Sequence, residues 1–369
     1  MNNTITNRQV FFVLIVTLTS YSVIVIAKEM AQSAGTGAWL TILVTAMVFA
    51  IAAAIIMRLN NMFEEKMLFD YAPSLISKPG TFLLGFYFTL YFLFILVFLV
   101  TGLSKLLNAD FFPKSPLWAF PLFGLPVFCY VAYKGVTNVA RLAEIVGSVF
   151  VVTAVLVHTL MATEGHVNRI LPLFNAAEIG NYISGFQYSI FPFLGIEVLL
   201  VMPISRKSVK KSAKTAFFSL LFIGLFYVLV VESSIMKLGL HDITNHNDAL
   251  IVAIRDTSPQ ALEIIARLDI LYLTVGFGGL FIGISLVMLN IVEYLCRMFK
   301  QVSRLVIVIS VGVATFGLFF VVSGIKGYEE FSETVGTYLG IISSMVIPLG
   351  LLLIAKAKNK KKKVTTDAG

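Results

Sequence analysis

Ten apolar stretches of about 20 residues follow one another along most of the chain, and they constrain its fold more than any other feature. They cover approximately residues 9–31, 38–57, 80–107, 117–133, 141–163, 179–203, 213–237, 266–298, 303–324 and 332–356. A helix of this length spans the hydrocarbon core of a bilayer. Because a helix satisfies its own backbone hydrogen bonds in hydrocarbon, the sequence predicts an all-α, polytopic membrane protein with ten transmembrane helices.

Composition agrees with this prediction and excludes a soluble protein. Hydrophobic residues make up 58% of the 369 residues and charged residues 13%, whereas soluble domains carry about 25% charged residues. Since the connections are short, we expect a single transporter-like transmembrane domain over residues 1–356 and a lysine-rich cytoplasmic tail over residues 357–369. The polar leader Met1–Arg8 is not followed by a signal-peptide cleavage site, so we expect the first span to be retained.

Lysine and arginine are distributed unequally between the two sides of the predicted spans. Twenty of the 28 fall in the leader, the connections after even-numbered spans and the tail. Since positively charged loops remain in the cytoplasm, both termini are predicted to be cytoplasmic. The basic runs Arg206–Lys211 and Lys356–Lys363 are expected at the anionic inner leaflet, so the net charge of +8 does not indicate a nucleic-acid partner.

The sixth stretch contains residues that hydrocarbon disfavours, namely Pro192, Gly195, Glu197 and Pro203. An ionised glutamate at membrane depth costs about 3 kcal/mol on insertion scales. Such residues are tolerated where irregular backbone faces a cavity or other protein, as in the solute sites of transporters. We therefore predict that helix 6 is broken near Gly195. For Glu197, a structural hydrogen bond that braces the break and a contact with a ligand both remain open.

A second polar patch, Thr17–Ser22, lies in the first stretch, five spans before the sixth. In transporters built from inverted repeats, corresponding broken helices of the two halves meet at the bilayer midplane. The spacing therefore favours two repeats of five helices, although the halves share hydropathy and no further sequence similarity. The hydroxyl groups could equally bond the preceding turn of an ordinary helix.

No arrangement of side chains predicts catalysis, a metal or another cofactor. The histidines lack zinc-ligand spacing, no nucleophile is accompanied by a base, and Cys129 and Cys296 lie far apart in the sequence. The small residues of Gly276–Gly279 allow close helix packing or line a solute site. We interpret residues 238–265 as a solvated lid or partner surface, with a short amphipathic segment after Pro259.

Four segments of the chain add a resemblance to a known family. They are Ala27–Leu40, Gly135–Arg141, Phe193–Pro203 and Arg267–Asp269. Together they resemble the B subunits of bacterial spore germinant receptors, a branch of the amino acid–polyamine–organocation transporter superfamily. The resemblance covers essentially the whole chain, and Phe193–Pro203 is its most specific part.

The resemblance implies a LeuT-like fold, a 5+5 inverted repeat with broken helices 1 and 6, in the inner membrane of a bacterial endospore. It implies a subunit that binds a small nutrient germinant, such as an amino acid, and triggers germination together with a receptor A subunit and a C lipoprotein subunit. By position, it implies a ligand pocket lined by Ser20, Tyr21, Ser22, Tyr91, Ile95, Leu194, Gly195, Glu197, Gly278 and Ile282. Backbone donors at the break in helix 6 would meet a ligand carboxylate.

The chain departs from this family in its first span. Many relatives have a glycine-containing break and a Leu-Pro pair there, whereas Ser20–Ala27 contains neither glycine nor proline.

Two functions remain open. In a receptor subunit, ligand binding shifts a conformational equilibrium that partner subunits read. In the alternative, an amino acid secondary transporter, the same pocket moves its ligand with a proton or sodium ion. The resemblance favours the receptor.

Overall fold

The computed structural model describes residues 4–245, 249–255 and 268–367. Its α-helices are α1 Asn7–Ala34, α2 Ala38–Asn61, α3 Leu68–Asp110, α4 Ala119–Tyr133, α5 Val136–Glu164, α6 Ile179–Ile190, α7 Arg206–Leu238, α8 Leu240–Asn245, α9 Ala249–Arg255, α10 Leu268–Met298, α11 Arg304–Ser323, α12 Tyr328–Ile341 and α13 Ile347–Asp367. No β-sheet forms within these ranges, where a single parallel bridge joins Ile5 to Ile204.

Each of the ten apolar stretches contains helix. Within the described ranges, eight helical segments have the length and hydropathy to cross a membrane, and Asn7–Thr19 and Ala119–Tyr133 are shorter apolar helices. The all-α, multi-pass membrane fold is therefore confirmed, whereas the count of ten spans stays a prediction. The division into one domain and a tail also stays a prediction, and α13 continues as helix into the lysine-rich segment as far as Asp367.

Helix α1 corrects one prediction, because it runs from Asn7 to Ala34 without a break. Its start is fixed by Thr6, whose hydroxyl accepts from the Gln9 backbone while the Gln9 side chain accepts from the Thr6 backbone. At Thr19 the hydroxyl donates to the carbonyl oxygen of Ile15 at 2.7 Å. The prediction of a broken helix 1 is therefore wrong: hydroxyl groups bond the preceding turn, and no glycine or proline interrupts the ladder between Ser20 and Ala27.

Helix α3 begins twelve residues before its predicted start and bends sharply on the way. Ser77 has a φ of 70° and Ile76 a ψ of 16°, both outside the helical region. Pro79 follows closely, and proline disfavours helical backbone in the residue before it while removing a backbone donor. The segment before the bend is therefore a separate short helix, ahead of the apolar span.

The helices pack around α1 and α10. Helix α1 contacts α5, α6, α7 and α10, while α2 packs against α6 and α7. On the other side α10 contacts α3, α4, α5 and α11. Apolar side chains such as Leu83, Phe123 and Val152 cover the outside of the bundle and are about 70% exposed, as expected for surfaces that face lipid rather than water.

Hydrogen bonds and ion pairs link neighbouring segments at the lysine- and arginine-rich end of the bundle. In the leader, the Ile5 backbone donates to Pro203 at 2.9 Å and accepts from Ser205 at 3.1 Å. Buried Glu293 of α10 pairs with Arg297 at 2.6 Å and with Arg304 of α11 at 2.8 Å. These bonds join the leader, the end of helix 6 and the α10–α11 connection at one face.

Helix α9, in the connection between α7 and α10, is more buried than expected from its sequence. In α9 the side chains of Leu250, Ile251 and Ile254 are almost fully buried, and the helix contacts α1, α5 and α7. The interpretation of this connection as a solvated lid is thus wrong for α9. Arg267 and the amphipathic segment predicted after Pro259 lie outside the described residues, as does the side chain of Asp269.

Candidate ligand-binding site at the broken helix 6

The break in helix 6 lies at Leu194 and Gly195, which confirms the sequence prediction. Helix α6 ends at Ile190 and continues as one 3₁₀ turn, Phe191–Phe193. Leu194 is then extended, Gly195 is left-handed with a φ of 115°, and a second 3₁₀ segment runs over Ile196–Val201. Pro192 removes one helical donor, and glycine adopts positive φ without steric cost.

The packing around the break also leaves no room for a side chain at position 195. A Cβ atom at Gly195 would lie 2.9 Å from Cγ2 of Thr17 in α1. Helix α1 therefore approaches the backbone of the break directly. The tight contact explains why the most specific segment of the sequence carries glycine at this position.

Glu197 holds the break through both of its carboxylate oxygens. Oε1 accepts from the Tyr91 hydroxyl of α3 at 2.6 Å, and Oε2 accepts from the Gly195 backbone N–H at 3.1 Å. The side chain is 1% exposed. The structure thus shows the bracing role that the sequence left open, whereas ligand contact by Glu197 stays a prediction. One backbone donor expected to meet a ligand carboxylate is bonded to Glu197 instead.

Tyr227 of α7 is a further residue at the break, which the sequence reasoning missed. Its hydroxyl lies 2.7 Å from the Leu18 carbonyl oxygen of α1 and 3.0 Å from that of Pro192. Ser22, one of the predicted site residues, is buried and also hydrogen-bonds Tyr227. The available signal was a tyrosine in the middle of an otherwise apolar span, where a hydroxyl needs a partner.

The remaining predicted residues of α1 and α3 lie close to the break. Tyr21 packs edge to face on Phe98 of α3 at 5.5 Å, and Phe98 packs likewise on Phe191 at 5.3 Å. Ile95 lies on α3 one turn from Tyr91. Ser20 lies in α1, and its side chain is not among those described.

Helix α12 also packs against the break, and the sequence reasoning had not assigned it to the site. A Cβ atom at Gly340 would lie 2.5 Å from Leu194, and one at Gly336 would lie 3.1 Å from Phe191 and 3.5 Å from Ile95. Two glycines four residues apart share one helix face. That spacing was the signal that could have predicted the close approach.

The structure shows no contact between the break and the two predicted residues of α10, Gly278 and Ile282. A Cβ atom at Gly278 would contact Val146 of α5 at 3.4 Å, and Ile282 is buried in the core. Gly278 therefore has the packing role that the sequence left as an alternative. For both residues, a part in ligand binding stays a prediction.

A polar cavity of about 590 Å³ leads to this group from the end of the bundle opposite the basic face. It lies between α1, α6 and α12, and its lining includes the carboxylates of Glu29, Glu330 and Glu333. Its inner end reaches Phe191, three residues before the break. Phe191 lines the cavity and packs on Phe98, which in turn packs on Tyr21.

The described residues offer no alternative chemistry at this site. Within them, no group of three or more histidine, cysteine, aspartate or glutamate side chains could hold a metal ion. Buried His158 has both ring nitrogens bonded, to Ser233 at 2.8 Å and to Tyr272 at 3.2 Å. Ligand binding at the break therefore stays a prediction.

Comparison with known proteins identifies the family of the chain. A family profile described as Spore germination protein matches residues 4–325. The chain belongs to this family. Spore germination protein KB of Bacillus subtilis (strain 168) is 22% identical, over 96% of this chain and 95% of that protein. Spore germination protein YndE of the same organism is 20% identical over 64% of each chain.

Solved structures similar to this member of the Spore germination protein family have the LeuT-type fold. MhsT in complex with L-phenylalanine matches with a TM-score of 0.67 at 13% identity, over 97% of this chain and 99% of that one. A Na⁺-coupled sialic acid symporter in its substrate-bound outward-open state matches with a TM-score of 0.65 at 13% identity. The match covers 94% of this chain and 80% of that one. Family and fold are thus those of germination receptors and transporters.

Proposed function

We propose that this chain is the nutrient-sensing membrane subunit of a spore germinant receptor, binding a small germinant at the broken helix 6. The observation that carries the proposal is the 590 Å³ cavity that ends at Phe191, next to the break. A ligand entering there would meet the predicted residues once Phe191 moves off Phe98. Membership of the Spore germination protein family supports the biological process.

An amino acid is the proposed class of germinant. The cavity carries three glutamates, Glu29, Glu330 and Glu333, and a further carboxylate, Glu197, is bonded to Gly195 at the break. Carboxylates attract the ammonium group of an amino acid along this route. The match to a fold that holds L-phenylalanine in MhsT supports the same class. A ligand carboxylate would compete with Glu197 for the Gly195 backbone donor.

The proposal includes relay to partner subunits. Binding at the break would favour one arrangement of α1, α6 and α12, and a ligand shifts a two-state equilibrium only by its difference in affinity for the two states. A receptor A subunit and a C lipoprotein would read that arrangement in the inner spore membrane, with both termini of this chain in the cytoplasm. Co-purification of the three chains from spore membranes tests this part.

Germination of spores tests the receptor proposal directly. Spores lacking this chain are exposed to single amino acids, sugars and nucleosides while dipicolinate release is followed. We expect loss of response to a particular amino acid, restored by the intact gene but not by Gly195→Leu. Gly180→Leu serves as the matched control, because a Cβ at Gly180 of α6 has no atom within 4 Å. Rescue by Gly195→Leu at normal protein level would refute the site.

Secondary transport is the second candidate, and buried Glu197 beside the break is the observation that favours it, since intramembrane carboxylates mark proton and ion pathways. Proteoliposomes containing the purified chain are loaded with a pH or sodium gradient and supplied with labelled amino acid. Uptake that requires the gradient and is abolished by Glu197→Gln would replace the receptor-only function. Binding without uptake would support the receptor.

A further inference from the structure

A second cavity, of about 550 Å³, lies between α2 and α7 at the basic end of the bundle, away from the broken helix. Three cations line it: Arg58 from the last turn of α2, and Lys210 and Lys214 from the beginning of α7. The apolar part of the lining includes Ala54 and Phe217. Positive-inside topology explains why many lysines and arginines lie at this face. It does not explain why three of them line the same cleft.

The charge of these three residues is uncompensated within the part of the chain that the structure describes. Nearby Arg206 lies 3.5 Å from Glu64 and 3.8 Å from Glu65, whereas no described carboxylate lies within ion-pair distance of Arg58, Lys210 or Lys214. The first turn of α7 also contains no acidic residue. An anion in the cleft would therefore interact favourably with the three side chains together.

The cleft is held in a fixed shape by an amide that forms part of its lining. Asn61 of α2 donates from Nδ2 to the Val209 carbonyl oxygen at 3.1 Å, and its Oδ1 accepts from the Ser212 hydroxyl at 2.9 Å. These bonds join the end of α2 to the beginning of α7. The cations of the two helices are therefore brought together before any ligand binds, which lowers the ordering cost of binding.

The surface beside the cleft indicates which anion it takes. Exposed apolar side chains continue from it along the lipid-facing sides of both helices, Met47 and Ile51 on α2 and Phe218 and Leu225 on α7. We propose that the cleft binds an anionic phospholipid, whose phosphate lies among Arg58, Lys210 and Lys214 and whose acyl chains follow α2 and α7. Basic pockets between helices at a cytoplasmic face bind such headgroups.

Native mass spectrometry of the full-length protein in detergent, titrated with phosphatidylglycerol, measures this binding. Each cation near an anionic lipid contributes about a fivefold change in affinity, so Lys210→Gln with Lys214→Gln should weaken binding about thirtyfold. Lys207→Gln with Lys211→Gln is the matched control, because it removes the same charge from the same turns of α7 outside the cleft and should bind like the wild type. Lys210→Arg with Lys214→Arg should keep the affinity.

The outcomes separate this site from a general attraction to the membrane and from a phosphate site. Equal weakening by both glutamine pairs would overturn the proposal, because only total charge would then matter. Equal binding of phosphatidylcholine would also overturn it, as would loss of the bound phosphatidylglycerol to millimolar inorganic phosphate, which would assign the cleft to a free anion. Retention by the arginine pair confirms that the loss in the glutamine pair is not a folding defect.

Discussion

Gly195→Ala is expected to destabilise the protein by two separable terms. At a φ of 115° an alanine is held in a region that L-residues rarely adopt, which costs about 1–3 kcal/mol. Its Cβ would also lie 2.9 Å from Thr17 Cγ2, and overpacking of this kind costs about 1–3 kcal/mol. The free energy of unfolding should therefore fall by about 2–6 kcal/mol.

Thr17→Ser separates the two terms, because it removes Cγ2 and leaves the backbone of the break unchanged. In a double-mutant cycle measured by graded SDS unfolding in mixed micelles, Thr17→Ser should recover about 1–3 kcal/mol in the Gly195→Ala protein. The backbone strain should remain. Gly180→Ala in α6 is the control, since its Cβ meets no atom within 4 Å, and should be neutral or slightly stabilising.

Two results would refute this reasoning. An unchanged free energy of unfolding in Gly195→Ala would mean that the backbone at the break does not require glycine. Strict additivity of the two substitutions would mean that α1 does not contact the break at Thr17, since residues in contact show coupling energies above about 0.5 kcal/mol. Either result would remove the structural basis for a site between α1 and helix 6.

Two further predictions concern buried hydrogen bonds and charges. Tyr91→Phe removes the donor to Glu197 Oε1 and should lower the free energy of unfolding by about 1–3 kcal/mol; a change below 0.5 kcal/mol in the SDS assay would contradict the bond. Glu293→Ala removes the buried carboxylate that Arg297 and Arg304 share and should cost about 1.5–3 kcal/mol, because Arg297 keeps Asp70 at 3.1 Å. Wild-type thermal stability of the purified Glu293→Ala protein would show that the network does not hold the α10–α11 connection.

Much of the candidate site could be predicted because its signals are local. Proline, glycine and glutamate in an apolar stretch indicate a break wherever the helix lies, so the position of Gly195 followed from the sequence. The prediction of a break in helix 1 was wrong because its signal is not local. The hydroxyl groups of helix 1 bond either to the preceding turn or to a neighbour, and the sequence does not specify which, whereas Thr19 in the structure bonds Ile15.

The site residues that the sequence missed, or placed without support, depend on helix rotation and partner choice. Gly278 was placed by position in the ligand pocket, but the rotation of α10 brings it against α5. Tyr227 and the glycines of α12 reach the break through contacts across more than 30 and 140 residues of chain. Many spans carry apolar residues on several faces, so hydropathy carries little information about which face meets which neighbour.

The sequence by itself determined that the chain is a multi-pass helical membrane protein, approximately where its apolar helices lie and where helix 6 breaks. These properties depend on the length of apolar segments and on residues that cannot continue a helix in hydrocarbon, and both are local. Only the tertiary structure decided that Glu197 bonds Tyr91 and Gly195, that α12 packs on Leu194, and that three cations share a cleft between α2 and α7. Those arrangements arise because buried polar groups and close-packed helices select their partners from the whole fold.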